Sequence, residues 1–93
     1  MLALMSWTLD RITVFDWEWS VYSSAYGLAM GTAGSRNAAI VELLIAEAEL
    51  FEQPYASATI ARMRADPNQW VQNHQNEINS VLRDEHASRA GHN

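Results

Sequence analysis

A helix from about Arg36 to Gln53 is the one element this sequence dictates outright. Ala38, Ala39, Glu42, Leu43, Leu44, Ala46, Glu47, Ala48, Glu49 and Leu50 are all strong helix formers. Ser35 or Asn37 can accept from the free amides of the first turn as N-cap. Pro54 stops the helix or opens the next element, because proline suits a first turn and breaks an interior. A shorter helix, from about Pro54 to Ala65, sets Ala56, Ile60 and Met63 on one narrow stripe. Asp66-Pro67-Asn68-Gln69 then reads as an N-cap aspartate, a proline at the first helical position and a glutamine closing a capping box. The helix it starts carries Trp70, Val71, Ile78, Val81 and Leu82 at helical spacings, and is expected to run from 67 to 89, ending before Gly91.

The first third supports two periods at once. Phe15, Trp17, Trp19 and Val21 alternate with Asp16, Glu18 and Ser20, a strand pattern. Ile12, Phe15, Trp19, Tyr22, Tyr26 and Ala29 also form a helical stripe. A lone strand needs a partner, and Met1 to Thr8 is a poor one, since the turn would fall on Leu9-Asp10-Arg11 without glycine or asparagine. The expected fold is therefore all-α: a small single-domain bundle of three to four helices. The alternative is helices plus a short N-terminal β-hairpin or strand.

Ninety-three residues build one small core, so residues 1–93 are expected as one domain with a tail fraying from about 89 to 93. The absence of cysteine excludes disulfides and thiolate metal sites. With no lysine among its six bases, the chain has neither Schiff-base chemistry nor a P-loop lysine. The net charge of −5 disfavours binding to phosphate backbones. That charge belongs to the first half, where Asp10, Asp16, Glu18, Glu42, Glu47, Glu49 and Glu52 face only Arg11 and Arg36. Met1 to Asp10 has no basic n-region or cleavage pattern, and Trp19 to Gly34 falls short of the ~20 apolar residues of a membrane span. A cytoplasmic protein without a membrane segment is expected.

Glu47 is the most informative single residue. On a helical wheel it falls within the apolar arc, between Leu43 and Leu44 one turn before and Leu50 and Phe51 one turn after. A carboxylate buried there alone costs several kcal/mol, so it must be paired, protonated or at an interface. His74 holds the matching place on the last helix, four residues from both Trp70 and Ile78. Packed antiparallel, the helices bring Glu47 to His74, or Arg62 to Glu47. The pair reads first as a satisfied buried contact and second as an acid–base dyad of a small enzyme or ligand-binding protein.

Other motifs are weaker. His74-x-x-Glu77 and Asp84-Glu85-His86 lack the paired Glu-x-x-His of dinuclear sites, and His92 is terminal, so no metal and no cofactor is expected. Gly31-Thr32-Ala33-Gly34-Ser35-Arg36 matches no phosphate-binding fingerprint and reads as an interhelical turn, and Gly27-x-x-x-Gly31 as a helix-packing feature. Seven amides from Asn68 to Asn79 suggest a helix-turn-helix nucleic-acid binder, but only Arg62 and Arg64 stand near to grip phosphate.

Six of the nine aromatics (Trp7, Phe15, Trp17, Trp19, Tyr22 and Tyr26) crowd into twenty residues, more than one helix face can bury. The leading expectation is thus a non-catalytic protein-binding module acting by stoichiometric association. Its interface would be Trp7, Asp10, Asp16, Trp17 and Glu18, with Trp17 as anchor because it falls off the helical stripe. A homodimer is the simplest use of that surface. Small acidic chains of this kind are frequent among phage- and mobile-element-encoded inhibitors of host or defence machinery, anti-CRISPR proteins included; the likeness is one of size and charge alone.

Overall fold

The computed structural model describes residues 5–79. Strands β1 (Met5–Arg11), β2 (Trp17–Ser23) and β3 (Gly27–Ala33) form an antiparallel meander in the order β1-β2-β3. Helices α1 (Arg36–Leu50), α2 (Ser57–Ala65) and α3 (Pro67–Asn73) follow, and after a turn at His74 residues 75–79 are helical again. The all-α bundle is thereby overturned: the fold is mixed, with helices packed on a sheet.

The period-2 signal wins because β2 has partners on both sides. β1 pairs with it from Met5↔Ser23 to Arg11↔Trp17, and β3 from Trp17↔Ala33 to Ser23↔Gly27. The first turn falls not on Leu9-Asp10-Arg11 but on Ile12 to Asp16. There the Ile12 amide donates to the Asp16 carbonyl (2.9 Å) and Thr13 Oγ1 donates to Asp16 Oδ2 (2.8 Å). A threonine–aspartate lock thus replaces the expected glycine. In the second turn Ser23 Oγ accepts from the amides of Ala25 and Tyr26, and Gly27 takes a positive φ of 102°. The helical stripe of Ile12, Phe15 and Tyr26 does not form, since these residues sit in the turns. Gly27-x-x-x-Gly31 lies on β3, as does the first half of the supposed interhelical turn, which shrinks to Gly34 and Ser35.

Strand alternation sorts the sheet into two faces. Trp7, Leu9, Trp17, Trp19, Val21 and the small side of β3 (Ala29, Gly31, Ala33) face α1. Small residues on β3 make room for Trp19: a Cβ built on Gly31 would stand 2.7 Å from Trp19 Cζ2. The indole therefore lies over the glycine, the large-on-small cross-strand pairing that protects a glycine in a strand. Trp19 Nε1 is buried and has no hydrogen-bond partner among the described residues, so contact alone holds the ring.

Helix α1 is buried on two sides. Ala39 and Leu43 pack with Trp7, Trp19 and Val21, while Ile40, Val41 and Ile45 pack with Met63, Val71 and Ile78. Ser35 caps its start by accepting from the Ala38 amide (3.1 Å). It ends at Leu50 rather than Gln53, because Glu52 takes φ 59° and the Gln53 amide returns to the Ala48 carbonyl (2.9 Å). That is a Schellman close with glutamate where glycine is usual. Pro54 also requires an extended residue before it. At the next boundary, Asp66 caps α3 through the Gln69 amide (3.2 Å), but the Gln69 side chain bonds to Asn73, so the capping box closes on one side only. The expected 67–89 helix breaks at His74, whose Nδ1 bonds to the Trp70 carbonyl (2.9 Å) and whose backbone closes the turn. Its continuation past Asn79, and the frayed tail, lie outside the described residues.

Gly31→Ala is expected to destabilise the fold by about 1–3 kcal/mol, since a buried indole has nowhere to move. Urea denaturation checks this; an unchanged midpoint would mean that Trp19 does not lie on Gly31.

Candidate functional site

The sheet and the α2–α3 pair are both built on α1, and between them runs a cleft of about 510 Å³. Strand β1 supplies Trp7 and α1 supplies Leu44 and Glu47. Tyr55 comes from the loop after α1, Trp70 from α3, and His74, Glu77 and Ile78 from the turn and helical stretch beyond. The rings are mutually braced: Trp70 stacks on His74 at 4.3 Å and meets Tyr55 edge-on at 6.4 Å.

Glu47 is half-buried, as its place in the apolar arc requires. Its hydrogen bond comes from Trp7 Nε1, across forty residues of sequence, and not from His74 or an arginine. Arg64 forks onto Glu42 (both contacts 2.9 Å), and Arg62 reaches Thr59. Burial pushes the Glu47 carboxyl above its ordinary value of 4.5, partly opposed by the Trp7 bond, which favours the charged form. Burial also raises the Tyr55 hydroxyl, helped by the charges of Glu47 and Glu77. His74 lines the same cleft, with Nδ1 engaged by the Trp70 carbonyl. The two residues singled out in the sequence thus share one cavity, while their recorded bonds run to tryptophans rather than to each other.

The residues expected at a protein interface are scattered. Trp7 is 3% exposed and belongs to the core. Trp17 is half-buried on the face toward α1, opposite Arg11 and Ala33. Asp16 is exposed in the first turn. Asp10 and Glu18 lie opposite each other on the outer face of the sheet. Sequence reasoning passed over the neighbours they have there: Tyr22 pairs with Leu28, and Ser20 with Met30. The signal was present in Gly27 to Ala33, where Leu28, Met30 and Thr32 alternate with smaller residues.

Seven amides, Asn68, Gln69, Gln72, Asn73, Gln75, Asn76 and Asn79, are all exposed, with Asn68 bonded to Asn37. Among the described residues no three acidic, histidine or cysteine side chains gather as a metal site would require; Asp84, Glu85, His86 and His92 lie outside them. Among the same residues no helix is long and apolar enough to cross a membrane. No protein-family model matches the chain, and neither a curated protein nor a solved structure matches it.

An acid whose pKa is raised on folding holds its proton more tightly in the native chain than in the unfolded one. Its stabilising contribution is whole below the unfolded value and is lost as pH rises through the folded value. Glu47→Gln keeps the volume and an acceptor for Trp7 without the charge. Its unfolding midpoint at neutral pH is expected at or above wild type, the difference closing as pH falls through the glutamate range. Glu47→Ala, which removes the acceptor, should lie about 1–3 kcal/mol below Glu47→Gln. Denaturation of the three proteins at two pH values decides it; an alanine variant as stable as the glutamine variant would show that the Trp7 bond contributes nothing.

Proposed function

We propose that this chain is a non-catalytic protein-binding module that associates stoichiometrically through the outer face of its sheet. One observation carries the reading. Every large apolar side chain that stands exposed among the described residues falls between Met5 and Met30, and none lies on a helix. Three of them, Tyr22 (46% exposed), Leu28 (57%) and Met30 (59%), adjoin on the outer face. Contiguous apolar surface of this kind marks interaction sites, whereas single exposed apolar residues do not.

Charge narrows the partner. Across the hydroxyl pair Thr8 and Ser20, the opposite end of this face holds Asp10 directly across from Glu18. Like charges in register are unfavourable, and a basic partner relieves them. The complementary surface is thus an apolar patch flanked by arginine or lysine. Two copies of this chain stacked face to face in parallel would set acid on acid, which favours a different protein as partner over a homodimer.

The test replaces Leu28 and Met30 by serine, a change at exposed positions that leaves the circular dichroism spectrum intact. Captured partners should be lost, with affinity lowered about thirtyfold or more, since one such anchor alone is worth about 2 kcal/mol. Asp10→Asn with Glu18→Gln should slow association and flatten its salt dependence. A folded variant with the same mass and the same partners would remove this face from consideration. A doubled wild-type mass that halves in the variant would assign the face to a second copy.

A further inference from the structure

The cleft beside α1 has a composition that the outer face does not explain. Trp7, Tyr55 and Trp70 supply aromatic walls, and Glu47 and Glu77 supply carboxylates. Among the described residues no arginine lines it, and the basic side chain there, His74, has Nδ1 engaged by a backbone carbonyl. Among the described residues the arginines are placed elsewhere: Arg64 on Glu42, Arg62 near Thr59, Arg11 at the Thr13 carbonyl, and Arg36 exposed at the start of α1. The carboxylates of Glu47 and Glu77 therefore stand beside aromatic rings with no ion pair to a cation of the described residues.

We infer that the cleft binds an organic cation, an alkylammonium or guanidinium group, free or at the end of a side chain. Ring faces attract such cations through their quadrupoles, more strongly where water is thinned. Trp7 Nε1 occupies Oε2 of Glu47, which leaves Oε1 to receive an N–H from the ligand. Glu77 adds a second charge on the same lining. A bare metal ion fits less well, because hard cations want six or more oxygens and rings offer none. The volume of about 510 Å³ lies within the range of roughly 300–1,000 Å³ usual for small-ligand sites.

The probes are methylguanidinium and tetramethylammonium chlorides, added to the full-length ¹⁵N-labelled chain, with sodium chloride at equal ionic strength as control. Each of the four tryptophans contributes one indole N–H signal. Those of Trp7 and Trp70 should shift saturably, while Trp17 and Trp19 stay. Glu47→Gln should weaken binding about tenfold with the Trp19 signal unmoved, and Tyr55→Ala should weaken it severalfold. Stronger binding of methylguanidinium would show that hydrogen bonding to Glu47 dominates; stronger binding of tetramethylammonium would show that the rings do. The same titration on an Arg83→Gln, Arg89→Gln chain repeats the measurement without the two arginines that follow residue 79. Shifts no different from those in sodium chloride, in both chains, would overturn the inference, as would unchanged affinity in Glu47→Gln.

Discussion

Everything in this molecule is arranged around α1, which must be apolar on two sides at once. One side, through Ala39 and Leu43, covers the sheet; the other, through Ile40, Val41 and Ile45, meets Met63, Val71 and Ile78. Neither neighbour stands without it. A three-stranded meander needs its apolar face covered before it is stable in water. Helices of nine and seven residues are too short to persist alone. The full burial of Ala39 shows how closely helix and sheet approach, and β3 permits this by presenting only Ala29, Gly31 and Ala33 on that face.

A polar link in this seam joins Trp7 of β1 to Glu47 of α1. It sits where the sheet and the α2–α3 pair diverge, which is why the same residues line a cleft. A carboxylate in an apolar arc is a local cost, and here it ties together elements forty residues apart while leaving one oxygen open. The outer face and the cleft therefore have separate origins. The outer face is open because, among the described residues, helices cover only the other face of the sheet. The cleft is open because the sheet and the α2–α3 pair each pack on α1 and not on one another.

Local chemistry made the helices legible. Ser35 and the Asp66-Pro67 pair mark real boundaries, Pro54 lies in the loop between α1 and α2, and Glu47 on the apolar arc is half-buried. Strands were lost because two periods coexist in Ile12 to Tyr22, and the choice between them was made on the wrong turn. No local rule announces that Thr13 and Asp16 can close a five-residue turn without glycine. β3 was harder still: Gly27 to Ala33 has one β-branched residue and two glycines, and becomes a strand only because β2 offers it an edge and Trp19 covers Gly31. Once the strands were missed, the aromatics fell on the wrong faces. Trp7, expected at an interface, is core, and Leu28 and Met30 stand exposed on the outer face.

The central claim is that α1 covers one face of the meander and leaves the other to solvent. Two methionines stand on opposite sides of that statement: Met63 is fully buried under α1, and Met30 is 59% exposed on the outer face. Methyl NMR of the dilute protein, titrated with a soluble paramagnetic chelate, reads both in one spectrum. The Met30 methyl is expected to broaden at low chelate concentration while the Met63 methyl stays sharp. A Met30 methyl as protected as that of Met63 would show that the outer face is covered, and would contradict the one-sided sheet.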